Sequence, residues 1–315
     1  MTGSQEPITR RIVFTFILVT VFLALPGLSL PDLTEASGER VVTREGPYTV
    51  IHSKKSTKTA RFVLKEADRA VRSLEGALGK VPLEPVTILL VETASGKEGE
   101  VPETLPGWFA GAAVPARRVI YLKTSPAIRR GPANIPQTLT HELTHIYLND
   151  QVGGQWLPRW LEEGLAMRLS GEYIFSHRVS LTTAAVRGNL IPFSYLEYSF
   201  PADEGEARLA YAASYHFVNR LLYLKGEDFL TDLLNLVREG RKFPRAFREA
   251  FGASPAAAER EWRSWLIKRY RLITFVTAGS TLWLIMSALF LVVYLRKRQL
   301  GQRKLAVMDE EEYMS

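Results

Sequence analysis

The chain of 315 residues contains no cysteine, which excludes disulfide bonds and thiolate ligands for a metal. It has no internal repeat and no low-complexity segment. Its basic residues form no continuous stripe, so the formal charge of +7 does not indicate a nucleic-acid partner. The composition, with 46% hydrophobic residues, allows a sizeable core. Histidine is scarce, with five residues, and two of them lie in one short segment.

That segment reads HELTH, from His141 to His145. On an α-helix, residues four apart are separated by about 400°, so the two imidazoles point the same way one turn apart. They can therefore reach a single Zn²⁺ at roughly 2.0–2.1 Å each. Glu142 lies about 100° further round the helix, beside such a metal rather than on it. Its carboxylate can there accept a proton from metal-bound water.

The residues around HELTH predict a helix with two different faces. Pro136 suits a first helical position, and the helical pattern continues to Asn149. Leu139, Leu143 and Ile146 share an apolar face, and the two histidines lie nearly opposite to it. We expect this helix to separate a packed interior from a cleft.

A five-residue motif can arise by chance, so a metal site needs a third ligand. The segment Leu157–Leu169 predicts a second helix, in which Glu163 follows His145 after 17 intervening residues. The adjoining Gly164 costs about 1 kcal/mol relative to alanine inside a helix, and we expect it to let the two helices approach closely. Glu163 is therefore the predicted third ligand, whereas Glu162 is expected to be a solvated surface charge.

Residues 47–270 are predicted to form one α+β domain. Apolar residues recur at helical spacing over Thr59–Leu78, where we expect a helix. Strands are expected at Tyr48–Ser53 and Pro85–Val91, and a hairpin is expected from Gly107–Ala113 and Arg118–Leu122. Residues 31–46 are interpreted as a polar linker.

Two segments are unusually apolar. Ile12–Leu30 carries no charge and follows two arginines, which is the layout of a signal peptide or a signal anchor at residues 1–30. Residues 272–295 also carry no charge and predict a transmembrane helix, with residues 296–315 as a cytoplasmic tail. By the positive-inside rule, we expect the protein in the cytoplasmic membrane with its catalytic domain extracytoplasmic.

HELTH followed by WLEEGLA, from Trp160 to Ala166, resembles the gluzincin branch of the zincin metallopeptidases. Over roughly residues 47–270 the chain resembles the compact peptidase MA-like domains of bacteria. The similarity includes a W-x-x-G-x-A segment (Trp108, Gly111, Ala113) and the tyrosine-containing segment AYAASYHFVNRLL at 210–222. The predicted fold class is therefore α+β: a zincin-like metallopeptidase domain, with a small mixed sheet and active-site helices, flanked by two transmembrane segments.

The resemblance implies Zn²⁺ as the cofactor, bound by His141, His145 and Glu163, with Glu142 as the general base. Two neutral imidazoles and one carboxylate leave a fourth position for water, which is the pattern of a catalytic zinc site rather than a structural one.

The same resemblance implies a tyrosine, downstream of the third ligand, that stabilises the oxyanion. Tyr211 is the preferred candidate because it opens the family-like pattern Tyr-Ala-x-Ser. Tyr215 and His216 are the alternatives.

The predicted function is that of a membrane-tethered zinc peptidase, in which Glu142 assists the attack of zinc-bound water on a peptide bond. A zinc-fold binding or scaffold protein of the cell envelope without turnover is one alternative, and a zinc hydrolase of a non-protein amide is another. The expected partners are a peptide or protein substrate and the membrane. The strand that ends at Ala113 is interpreted either as an edge strand that binds extended peptide or as an ordinary core hairpin.

Overall fold

A mixed five-stranded sheet lies beside the helices in the structure, which is a computed structural model describing residues 40–91, 110–124, 134–172, 175–277 and 279–313. The strands are β1 (Arg40–Glu45), β2 (Tyr48–Ser53), β3 (Val86–Val91), β4 (Gly111–Val114) and β5 (Val119–Lys123). Their order is β1-β2-β3-β5-β4, with β2, β3 and β5 parallel to one another and the outer strands antiparallel to their neighbours. Strand β4 therefore lies at one edge.

Nine α-helices are found among the described residues. They are α1 (Thr57–Leu78), α2 (Ile135–Gln151), α3 (Arg159–Ser170), α4 (Phe175–Arg187), α5 (Glu204–Lys225), α6 (Asp228–Arg238), α7 (Phe243–Phe251), α8 (Pro255–Thr277) and α9 (Gly279–Tyr313). Parallel strands need a crossover connection, and α1 supplies it between β2 and β3. The helix predicted at Thr59–Leu78 and the strands predicted at Tyr48–Ser53 and Pro85–Val91 are confirmed to within two residues.

Helix α2, which carries HELTH, is fixed at both ends. At its beginning the Asn134 side chain accepts a hydrogen bond from the Gln137 backbone N–H at 3.0 Å. Near its end, Arg118 pairs with both carboxylate oxygens of Asp150, at 2.5 and 3.0 Å. Gln151 donates to the Leu78 and Gly79 carbonyls that end α1. These contacts hold α2 in one position against α1 and the β4–β5 connection.

The predicted fold class is wrong as stated, because the described residues include no helix that could serve as the second flanking transmembrane segment. Helices α8 and α9, which contain residues of the apolar segment 272–295, each also contain a charged stretch. Within the part of the chain that the structure describes, no helix combines the length and apolar character needed to cross a membrane. The described residues form a mostly helical structure with one five-stranded sheet.

Other predictions fall partly or wholly outside the described residues. The signal segment 1–30 and Trp108 lie there, so the signal segment and the extracytoplasmic location stay predictions. The predicted linker 31–46 contains strand β1, in which the β-branched residues of RVVTRE pair with β2.

Gly164 marks a close helix approach, but the neighbouring helix is different from the one predicted. A Cβ atom at this position would lie 2.5 Å from Cγ2 of Val218 and 2.7 Å from the carbonyl oxygen of Ser214, both on α5. Glycine therefore allows the close approach of α3 to α5, whereas the sequence predicted that it would allow the close approach of α3 to α2.

Replacing Gly164 with alanine should destabilise the fold, because the backbone of α5 cannot move aside for the added methyl group. We expect a loss of about 1–3 kcal/mol in the free energy of unfolding, measured by denaturant titration of the metal-free protein. Gly76→Ala is the matched control: it lies in a helix with open space around it, and we expect a gain of about 0.4–1 kcal/mol. Equal stability of the two variants would contradict the close approach.

Candidate metal centre

Helices α2 and α3 bring together the three residues predicted as metal ligands. One ligand atom from each of His141, His145 and Glu163 lies within 4.8 Å of the others, and all three side chains are buried. Nε2 of His141 is 3.1 Å from Oε2 of Glu163, and Nε2 of His145 is 3.8 Å from Oε1. The arrangement can hold one metal ion.

The chemistry of these atoms fits zinc. Both ring nitrogens of His145 are buried without a hydrogen-bond partner among the described residues, which is costly unless a ligand satisfies one of them. Burial lowers the pKa of His145 well below its usual value, so the ring is neutral as a ligand requires. Two imidazoles and one carboxylate form the donor set of a catalytic zinc site with an open position.

Glu172 orients the first histidine, and the sequence reasoning missed it. Its Oε2 is 2.9 Å from Nδ1 of His141, so Nδ1–H donates to the carboxylate and Nε2 is left to face the metal position. Glu172 is itself buried, two residues beyond the end of α3, where its backbone N–H donates to the Met167 carbonyl. Burial alone lowers the pKa of His141, but hydrogen bonds with Glu163 and Glu172 raise it to about 10. The two carboxylates thus favour a positive charge, a proton or a metal ion, at Nε2 of His141.

Arg159 is a second residue that the sequence reasoning missed. It is buried one turn before Glu163 on α3, and its Nη2 pairs with Oε1 of that carboxylate. Burial alone raises the pKa of Glu163, but the positive charge of Arg159 lowers it to about 2. Glu163 therefore remains ionised in the interior, as a metal ligand must. The spacing Arg-x-x-x-Glu on a predicted helix is the only sequence signal that could have indicated this pair.

Glu142 lies where α2 passes the edge strand. A Cβ atom at Gly111 of β4 would lie 2.9 Å from both Cγ and Oε1 of Glu142, so the strand and the carboxylate are in contact. The side chain is fully buried, and burial raises the pKa of Glu142 to about 8. A carboxyl group with a pKa near neutrality suits both acceptance and return of a proton.

Tyr211 is buried close enough to this site for the site's charged groups to act on its hydroxyl, and its role toward the oxyanion stays a prediction. Burial raises the pKa of its hydroxyl well above the usual value, and the charges of Glu163 and Glu142 act in the same direction. The ring packs against Phe200, with 4.8 Å between centroids. His216, one of the alternatives, instead accepts a hydrogen bond from the Trp262 indole at 3.0 Å, away from this site.

The prediction that Glu162 is a solvated surface charge is wrong. Only 8% of the residue is exposed, and its Oε2 is 3.6 Å from Nη1 of Arg159. Burial raises the pKa of Glu162 to about 7. Helix α3 is covered on several sides, so both neighbouring glutamates are buried. They differ in direction: Glu163 points to the metal position, and Glu162 lines a separate cavity.

Comparison with known proteins places these residues in a family. A family model described as the Peptidase MA superfamily matches residues 66–268. The chain belongs to the Peptidase MA superfamily. The match covers all the site residues described above and agrees with a gluzincin-type domain. No curated protein matches the chain significantly.

Two solved structures of hydrolases and one of a zinc metallopeptidase are also similar, at low identity. Yeast LTA4 hydrolase in complex with bestatin is 14% identical, with a TM-score of 0.42, over 78% of this chain and 39% of that chain. Native leukotriene A4 hydrolase from Saccharomyces cerevisiae is 14% identical, with a TM-score of 0.44, over 72% and 38%. An M1 zinc metallopeptidase from Deinococcus radiodurans is 18% identical, with a TM-score of 0.35, over 72% and 51%. The chain thus spans about half or less of each of these proteins.

Glu172→Ala should weaken zinc binding, because His141 would lose the acceptor that fixes its ring and tautomer. We expect the dissociation constant for zinc to rise about 10–100-fold, measured by competition with a chromogenic chelator. Glu162→Gln is the control, because the Glu162 carboxylate lies near Arg159 and pairs with neither histidine. This variant should bind zinc like the wild type. Wild-type affinity in Glu172→Ala would show that Glu172 does not support the ligand.

Proposed function

We propose that this protein is a zinc-dependent peptidase that hydrolyses peptide bonds with Glu142 as the general base. The observation that carries the proposal is the contact between Glu142 and the edge strand β4 at Gly111, beside the three ligands. Membership of the Peptidase MA superfamily supports the same reaction class. Zinc, held by His141, His145 and Glu163, would act as a Lewis acid toward water and the substrate carbonyl.

Glu142 moves the proton in this proposal. Its carboxylate accepts a proton from the water molecule that attacks the carbonyl carbon, and it returns that proton to the amide nitrogen as the C–N bond breaks. The products are a carboxylic acid and an amine, which become a carboxylate and an ammonium ion by transfer of the second proton of the water molecule, and the carboxylate of Glu142 is regenerated. Because the side chain is buried against Gly111, it has little freedom to turn away from the reacting atoms.

Strand β4 favours a peptide over the other substrates considered. It is the last strand in the order β1-β2-β3-β5-β4, so its outer backbone groups are not used within this sheet. An extended peptide can pair with that edge and pass directly beside Glu142. A non-protein amide would need the same catalytic residues but not the strand. We therefore rank it second.

A binding protein without turnover is the remaining alternative. A fully buried carboxyl group that is not one of the three ligands is costly to retain, and a site that only binds metal has no use for it. Glu142 thus supports an enzyme rather than a scaffold.

Two substitutions separate metal binding from catalysis. Glu142→Gln should retain zinc and lose hydrolysis, because the amide cannot accept the proton, whereas Glu163→Gln should lose zinc affinity. Elemental analysis of the purified protein and cleavage of a peptide library provide the two measurements. Near wild-type cleavage by Glu142→Gln would remove it as the base, and a zinc-loaded wild type that cleaves no peptide would favour the alternatives.

Tyr211→Phe should lower kcat by about 10²–10³, because phenylalanine keeps the ring but removes the donor to the oxyanion. Zinc affinity and thermal stability should remain close to wild type, because the phenylalanine ring can keep the contact that the Tyr211 ring makes with Phe200. Steady-state kinetics on one peptide measure the effect. Tyr215→Phe is the matched control, and the assignment would move to Tyr215 if that variant lost kcat while Tyr211→Phe did not.

A further inference from the structure

A cavity of about 330 Å³ opens beside the metal centre, of a size suited to a side chain or a small ligand. Its wall includes Asn149 on α2, Arg159 and Glu162 on α3, Trp156 between these helices, and Glu197 with Tyr198 before α5. None of these residues is a metal ligand, and the catalytic scheme above does not use the cavity.

The cavity lies within reach of a substrate bound at the metal. Asn149 follows His141 and His145 at intervals of four residues, so it lies on the same face of α2, roughly 6 Å along the helix axis from His145. The cavity wall also includes Ala116, two residues beyond the end of the edge strand β4. A residue of an extended peptide advances about 3.3 Å. A peptide along β4 would therefore place a side chain at the cavity about two residues from the scissile bond.

The mouth of the cavity is aromatic. The rings of Trp156 and Tyr198 are 5.3 Å apart, and both residues are substantially exposed. The far side of Trp156 packs edge-on against the buried Phe243, which holds the indole in position. Exposed aromatic faces attract cations.

Two carboxyl groups and one guanidinium group line the wall. Glu162 and Glu197 contribute two carboxylates, of which Glu162 is nearly buried and Glu197 is partly exposed. Among the described residues that line it, the guanidinium is that of Arg159, which pairs with Glu163 as well as with Glu162, so Glu197 is the carboxylate of the wall for which no ion pair with Arg159 is found. Two acidic groups and two aromatic faces are the chemistry that recognises an ammonium or guanidinium group at the end of an aliphatic chain.

We infer that this cavity is a specificity subsite for a basic side chain, lysine or arginine, of the peptide substrate. The aliphatic part of the side chain lies against the exposed surface of the Trp156–Tyr198 ring pair, and its charged end approaches Glu197 and Glu162. This inference rests on the proposed peptidase function and adds to it the class of substrate.

The test uses full-length zinc-loaded protein and peptides that differ at one position. Lysine, its neutral analogue norleucine, and glutamate are placed in turn at each of three positions on either side of the scissile bond. We expect one position about two residues from the bond at which lysine is preferred over norleucine in kcat/KM by about 10-fold or more.

Two variants assign that preference to the cavity. Glu197→Gln should lower the ratio of kcat/KM for lysine over norleucine about 3–10-fold, and Glu197→Lys should reverse the preference toward glutamate at the same position. Glu261→Gln is the matched control, an exposed glutamate on α8, and should leave the ratio unchanged. Thermal unfolding and zinc content confirm that each variant is folded and loaded.

The outcomes distinguish the subsite from the catalytic function. Cleavage without a basic preference, or a preference that Glu197→Lys does not alter, overturns the subsite and leaves the peptidase function standing. If no peptide is cleaved, binding of the same peptides is measured by fluorescence anisotropy. A lysine preference that Glu197→Lys abolishes would then support the subsite and remove the peptidase function, and equal binding of all peptides would overturn both.

Discussion

The ion pair between Arg159 and Glu163 is the interaction on which the site depends. A carboxylate in the protein interior is stable only if a partner offsets the loss of hydration, and Glu163 is fully buried. Arg159 keeps the carboxylate ionised before any metal is present, so the ligand is already in its binding form. The same guanidinium also faces Glu162 and the adjoining cavity. One buried cation thus links the metal position to the proposed substrate subsite.

Packing of α3 explains how that pair is held. Gly164 brings α3 into direct backbone contact with α5, and Tyr211 reaches the site from the same helix. Helix α2 is fixed separately by its cap at Asn134 and by the Arg118–Asp150 pair. The ligands therefore come from two helices whose positions are set by independent contacts. Such support limits the movement of side chains that must act within a few tenths of an ångström.

Local sequence patterns predicted the elements of the site well. The four-residue spacing of His141 and His145 defines a shared helical face in any α-helix, so their convergence needed no tertiary information. The strands at Tyr48 and Val86 and the helix ending at Leu78 follow equally from hydrophobic periodicity. The prediction of a transmembrane helix at 272–295 failed because it considered the hydropathy of that segment alone, whereas the helices that contain it also carry charged stretches, and no described helix is long and apolar enough to cross a membrane.

What the sequence by itself determined is the set of groups at the candidate metal centre: two imidazoles and a carboxylate, with a second carboxyl group beside them. The tertiary structure alone decided which neighbouring charges act on these groups. Glu172 reaches His141 from 31 residues away, and Arg159 is close to the centre because α3 is buried on several sides. Glu162 and Glu163 are adjacent and chemically identical, yet one faces the metal position and the other a cavity. The reason is that the surroundings of a helix face depend on long-range packing, which no local pattern of residues records.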